Sequence, residues 1–417
     1  MLNISRQECL CDDLVNIWAT GLVQNKIYKI HASFKHRTGT HFAYGLFKAD
    51  ARGTVDLSRD RPLIGTYREI DSMGLFHSMG PAEDVRPGST VWATPPEPFV
   101  YTIKLLGDKE ALLDELKHTR HWKHPLVRSI DVENEDLTGT VYLPPGPGPF
   151  PTVIDFAGTG GGIRQHRGAL LASRGFATLA LPFFGYKNLP ADLEDVDVNY
   201  FLKAIDWLAR QPFCGKIGMQ GNSFGGVVCL AVADRTDKIS AYCIINSLHV
   251  MDPNARIRAD GEFMPCAELP MDLEYHFEDE ALIYRTTTEK LHETPESEFR
   301  FRGCAPGTMF RFVAAIDDLT TPAVKSARIL EERVKKLGFY AEVDEVRGGH
   351  LIEATSLPHM HYIYSGFING FQKYGCEDPY THCKSQQGVW ERSKKFFAHS
   401  LGQPTPLPPL HQESSRL

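Results

Sequence analysis

The chain has 417 residues, more than one ordinary core accommodates, so two or three domains are expected. Its composition, 42% hydrophobic and 23% charged, is that of a globular protein and excludes a fibrous or mainly disordered chain. A formal net charge of -7 provides no global basic field, which argues against a nucleic-acid partner, and no apolar run has the length of a membrane span or the form of a signal peptide.

The chain therefore reads as soluble and non-secreted. Its nine cysteines are odd in number and lack histidines at zinc-ligand spacing, so free thiols in a reducing compartment and no metal site are expected. From Leu14 to Leu105 short β-type segments follow one another: "IYKIHASF", "THFAYGLFKA", "GTVDLS", "STVWATP" and "PFVYTIKLL". Turn residues separate them and no long helical pattern intervenes. This predicts an antiparallel, immunoglobulin-like β-sandwich over residues 1–128.

A charged stretch, "DKEALLDELKHTRHWKHPLVRSIDVENED", leads to a different pattern beginning near Ser129. Strands "LTGTVYLPP", "TVIDFAG" and "ATLALPFF" alternate with the helices "IRQHRGALLASRGF" and "VNYFLKAIDWLARQP", which predicts a parallel sheet covered on both faces. After "AYCIINSL" a polar stretch from Asp252 to Gly307 interrupts the alternation, as an insertion over the carboxyl edge of the sheet would. The sheet resumes with "MFRFVAAIDD", a helix and "YAEVDEVRG". Residues 129–402 read as an α/β domain and 403–417 as a proline-rich tail. The tail ends in Ser415-Arg416-Leu417, a variant of the peroxisomal address S-K-L, so a peroxisomal import receptor is an expected partner, with a cytosolic location as the alternative.

Within "KIGMQGNSFGGVVCL" a strand, the pentad Gly221-Asn222-Ser223-Phe224-Gly225 and a helix follow in order. This is the form of a nucleophile elbow, whose strained turn leaves room only for glycine two residues either side of the serine. A chance match in a chain with 35 glycines is the competing reading. A serine needs a base and an orienting carboxylate, and in α/β-hydrolases the chain order is serine, acid, histidine. Asp318 follows "FVAAID" and is preferred to the adjacent Asp317 by strand alternation. His350 follows Arg347-Gly348-Gly349, a flexible turn; His249 is a competitor but precedes the acid. The backbone N–H of Phe224 and that of Thr159, in "FAGTGGG", are the expected oxyanion donors, because glycines let amides approach a substrate oxygen. The glycine loop fits neither phosphate-binding register.

The segments "LPPGPGPFPTVIDFAGTGGGIRQHRGALLASRGFATLALPFFGYKNLP", "RGGHLIEA" and "GTVDLSRDRPLIGTYREIDSMGLFHSM" resemble the type I acyl-CoA thioesterases and the related bile acid-CoA:amino acid N-acyltransferases, from about Trp18 to Leu401. The resemblance implies an immunoglobulin-like domain on an α/β-hydrolase domain, with Ser223 as nucleophile, Asp318 as acid and His350 as base. It implies an acyl-CoA substrate, coenzyme A entering only as part of it, and no separate cofactor. Hydrolysis is the leading expectation, transfer to glycine or taurine the second, and a non-catalytic partner-binding protein the third. Serine at the elbow, where the bile-acid conjugating enzyme has cysteine, favours hydrolysis. Phe224 departs from the lysine common after the serine in the thioesterases, which bears on acyl choice. For the phosphates of CoA, Lys117 to His124, Arg164 and Arg167 are candidate contacts, with a solvated interdomain helix end as the alternative for the first.

Overall fold

The structure, a computed structural model, describes residues 1–410 apart from Ser356 and Phe367; the tripeptide Ser415-Arg416-Leu417 lies outside the described residues. The amino-terminal β domain is built on a hairpin in which Ile27–His36 and Gly39–Lys48 pair antiparallel over their whole length. Alternate positions face the core: Tyr28, Ile30, Ala32 and Phe34 from one strand, His41, Ala43 and Phe47 from the other. Phe99–Leu106 and Leu112–His121 widen this sheet. A second, three-stranded sheet of Leu2–Ile4, Ile17–Ala19 and Val55–Asp56 shares its core through Ile17, Ala19 and Val55.

Two segments depart from the sequence expectation. "STVWATP" forms no strand: Val91 and Ala93 are buried in alternation, but the segment joins no ladder, and Trp92 points toward the α/β domain. The charged stretch after Leu106 is not a simple connection, because it carries the strand Leu112–His121 and the strand Arg128–Glu133. The period of two is present there, but it is written in buried His118, Arg120 and Trp122 rather than in aliphatic residues.

The α/β domain holds eight strands: β1 (Arg128–Glu133), β2 (Thr138–Leu143), β3 (Phe150–Phe156), β4 (Ala177–Ala180), β5 (Cys214–Asn222), β6 (Ile239–Ile245), β7 (Met309–Ala315) and β8 (Tyr340–Val346). Their order is β1-β2-β4-β3-β5-β6-β7-β8. β2 is antiparallel to both neighbours, and from β4 to β8 every pairing is parallel. One reversed second strand in that order is the α/β-hydrolase topology. Helices α1 (Gln165–Ala172), α2 (Val198–Ala209), α3 (Phe224–Ala233), α4 (Ala323–Lys336) and α5 (Pro379–Leu401) cover the sheet.

Side-chain alternation on β3 separates the two faces. Ile154 joins the core with Phe201 of α2, Leu230 of α3 and Leu330 of α4, whereas Val153 joins Leu170 of α1 and Phe397 of α5. The second of these cores is continuous with the β domain through Trp122, Tyr101 and Ile30, so the β domain packs on the α1/α5 face. Asp12 anchors the contact: its side chain is fully buried and receives Lys394 Nζ at 2.8 Å, Trp390 Nε1 at 2.9 Å and the guanidinium of Arg174. Burial alone pushes the Asp12 carboxyl up, but Arg174 and Lys394 outweigh it and hold the group well below the usual carboxylate range.

Residues 252–307 form two short hairpins and a one-turn helix, Arg285–Thr288. Ala281–Leu282 pairs with Gly370–Lys373, which pairs with Tyr362–Ser365, so the insertion and the chain after His350 make one small sheet beside the carboxyl edge. Among the described residues no helix is long and apolar enough to cross a membrane.

Candidate active site

Ser223 stands between β5 and α3 with φ 59° and ψ -125°, a conformation that L-residues rarely adopt. Its amide donates to Ile245 O at 2.8 Å, which fixes the turn to β6. Glycine is required on both sides. A Cβ on Gly221 would lie 2.2 Å from Gly225 O, and one on Gly225 would lie 2.5 Å from Ala157 O. These clashes are with backbone atoms, which cannot swing aside.

His350 Nε2 lies 2.8 Å from Ser223 Oγ, and His350 Nδ1 lies 2.8 Å from Asp318 Oδ2. The arrangement suits a ring protonated at Nδ1, which donates to the carboxylate and leaves Nε2 to accept the serine proton. Asp318 lies beyond the end of β7, so strand alternation does not select it. Selection comes from the turn: Asp318 Oδ1 accepts from the amides of Thr320 and Thr321 at 2.7 and 3.0 Å, and the hydroxyl of Thr321 lies 2.9 Å from Oδ2. Its side chain is fully buried. Asp317 turns away and accepts from Arg347 Nε at 2.8 Å and Gly348 N at 3.1 Å.

The glycines before His350 serve close approach rather than loose swinging. A Cβ on Gly349 would lie 2.4 Å from Gly375 O, and the amide of His350 donates to Tyr374 O at 2.7 Å. Asn246, at the end of β6 with φ 47°, ties the site together: its amide nitrogen donates to His350 O at 2.7 Å and its Oδ1 accepts from Ala315 N at 2.7 Å. The sequence reading passed over it, although an asparagine closing an apolar strand, "CIIN", was the available signal. Behind the histidine, His359 and His382 stack with ring centres 3.6 Å apart, and His382 Nδ1 accepts from Gly349 N at 3.0 Å.

Phe224 is the first residue of α3, where an amide has no partner within the helix. Its side chain is buried and lines a cavity with Val227 and Leu248. Thr159 lies in the glycine loop; a Cβ on Gly158 would meet Ser223 Cβ at 3.0 Å, so the loop passes directly against the nucleophile. Thr159 borders two cavities that reach Ser223, one of about 130 Å³ with Arg164 and His350 and one of about 60 Å³ with Phe224 and Tyr284.

His249 hydrogen-bonds Ser326 Oγ at 3.0 Å, and burial pulls it down to about 4. Lys117 to His121 closes the strand Leu112–His121 and is no helix end: His118, Arg120, Trp122 and His124 are buried, and Arg120 binds the carbonyls of Cys11 and Asp13. Arg167 is buried and bonded to Asp155 Oδ2 at 2.9 Å and Glu353 Oε1 at 3.3 Å. Arg164 instead stacks on Trp92, 4.2 Å from the ring centre.

Comparison with known proteins bears on what this arrangement does. Residues 196–403 match the family described as BAAT / acyl-CoA thioester hydrolase C terminal, and residues 12–134 match the acyl-CoA thioester hydrolase/BAAT N-terminal region. The peroxisomal succinyl-coenzyme A thioesterase of Mus musculus is 34% identical, covering 94% of each chain. Acyl-coenzyme A thioesterase 1 of Rattus norvegicus is 30% identical, again over 94% of each chain. The bile acid-CoA:amino acid N-acyltransferase of Mus musculus is 29% identical over 94% of this chain and 96% of its own.

Proposed function

Since the chain belongs to the acyl-CoA thioester hydrolase/BAAT family, we propose that it hydrolyses acyl-CoA to a free acid and coenzyme A through Ser223, His350 and Asp318. The observation that carries this reading is the unbroken line of hydrogen bonds, 2.8 Å each, from Ser223 Oγ through His350 to a buried Asp318.

Ser223 Oγ attacks the thioester carbonyl carbon while His350 Nε2 takes its proton, and Asp318 stabilises the imidazolium that forms. The carbonyl oxygen becomes an oxyanion held by the amides of Phe224 and Thr159, the first carrying the positive end of α3. The C–S bond breaks, His350 returns the proton to the CoA thiolate, and the acyl group remains on Ser223 as an oxyester. His350 then takes a proton from water, the hydroxyl adds to the ester carbonyl, and collapse releases the acid and Ser223. The steps ask for no metal or redox group.

The second reading replaces that water with the amine of glycine or taurine; the relationship to an N-acyltransferase over nearly the whole chain supports considering it. The two differ in product. Incubating the protein with an acyl-CoA series, with and without glycine or taurine, should give free acid in every case; amide as the main product would favour transfer, and no CoA release would overturn both.

We read the two-sheet domain as immunoglobulin-like and the chain as divided at 128 and 402, with Ser415-Arg416-Leu417 a peroxisomal address. Deleting the tripeptide should abolish import into peroxisomes; unchanged import would remove that claim.

A further inference from the structure

Of the two arginines that line the cavity beside Ser223, Arg167 is paired with Asp155 and Glu353 and Arg164 is not. Its guanidinium lies on Trp92 and, among the described residues, makes no hydrogen bond or ion pair. Its acidic neighbours are occupied: Glu353 accepts from His166 Nε2 at 3.1 Å and from Arg167, and Asp155 accepts from Arg167 and, at 3.2 Å, from Gln220 Nε2. Burial pulls the Arg164 pKa down by more than Glu353 pushes it back up, and up to five N–H donors lack protein acceptors.

Those donors share the cavity of about 130 Å³ with Ser223 and His350. A Cβ on Gly158 would lie 3.0 Å from Ser223 Cβ, and one on Gly160 3.5 Å from the Arg164 guanidinium. The two residue steps between those glycines span at most about 7 Å. The phosphates of CoA are separated from the thioester sulfur by the whole pantetheine arm, whereas Arg164 and Ser223 line one cavity of about 130 Å³, so the guanidinium faces the reacting end of the substrate rather than the phosphates. A planar fork stacked on an aromatic ring is instead suited to a carboxylate or sulfonate.

Resting on the thioesterase reading above, we propose that Arg164, held by Trp92, is a specificity residue that binds an anionic head group a few atoms from the reacting carbonyl. Two sources carry that chemistry: the far carboxylate of a short ω-carboxyacyl group on CoA, or the carboxylate or sulfonate of an amino-acid acceptor.

The test uses the full chain with succinyl-CoA and butyryl-CoA, which differ in the terminal charge, each with and without glycine or taurine. CoA release and products are followed for wild type, Arg164→Met and Arg164→Lys, with thermal unfolding as the control for folding. If the acyl group supplies the anion, wild type prefers succinyl-CoA, and the ratio of kcat/KM values falls roughly ten- to a hundred-fold in Arg164→Met and less in Arg164→Lys. If the acceptor supplies it, amide forms and the KM for glycine or taurine rises by a similar factor. Should Arg164→Met not fold, Arg164→Lys carries the same comparison, because loss of the fork alone should lower the ratio. An unchanged ratio together with no acceptor effect overturns the proposal while leaving butyryl-CoA hydrolysis as evidence for the thioesterase. Absence of CoA release by wild type from these and longer thioesters sinks the thioesterase reading and this proposal with it.

Discussion

Two neighbouring aspartates separate orientation of the base from ordinary loop chemistry. Asp318 is enclosed and faces His350, whereas Asp317 faces Arg347 at the surface. Asp318→Asn keeps the shape but replaces a carboxylate acceptor beside Nδ1, so turnover should fall on the order of 10⁴-fold. Asp317→Asn should leave turnover within about two-fold, because an exposed pair contributes little. Steady-state CoA release by the two variants checks this, and equal losses would mean that the acid is misassigned. Strand alternation, from which the sequence prefers Asp318, stops at Ala315 and does not reach either residue. The preference for Asp318 rests instead on two amides and a hydroxyl in the turn, and loop geometry of that kind is not written in a period-two pattern.

At the scale of elements, the elbow is the feature the sequence stated most completely. A Cβ added to either of its glycines would lie 2.2 or 2.5 Å from a backbone oxygen, so a single added methyl forces strand, turn or oxyanion loop to move. Gly221→Ala should destabilise the fold by about 1–3 kcal/mol and remove activity even where the chain folds. Urea unfolding and CoA release measure the two effects, and a variant of wild-type stability and turnover would contradict the packing described. Strands β3, β5, β6 and β7 were legible as apolar runs because both of their faces are buried. Helix α5 was not. Its apolar stripe is broken by buried His382, Gln386 and Ser393, although Asp378 with Pro379 gave a start signal. The strand Leu112–His121 was missed for a related reason, since its inward residues are polar side chains that burial alone reveals.

Across the whole molecule, several histidines are held neutral in the core. Burial lowers His41, His249 and His359 from 6.5 to about 4 and His118 to about 3. Between pH 6.5 and about 4 the unfolded chain binds more protons at these sites than the folded one, so their contribution to stability is complete above pH 6.5 and is lost as pH falls through that window. Asp155, Asp234 and Asp252, raised by burial, act in the opposite sense. With the histidines dominant, the urea midpoint should be lower at pH 5 than at pH 7; an equal or higher midpoint at pH 5 would show that they do not govern acid stability. The stacked pair His359 and His382 lies directly behind Gly349, so loss of this neutrality reaches the catalytic loop as well as the core.

Thr90 and Trp92 of the β domain line one cavity with Arg164, Ser223 and His350 of the α/β domain. The direct measurement is CoA release at saturating acyl-CoA by wild type and Ser223→Ala, with circular dichroism verifying the fold. Wild type should turn over and the alanine variant should fall on the order of a million-fold, to background. A folded Ser223→Ala protein that keeps more than about a tenth of wild-type turnover would show that Ser223 is not the nucleophile, since loss of a triad nucleophile leaves far less.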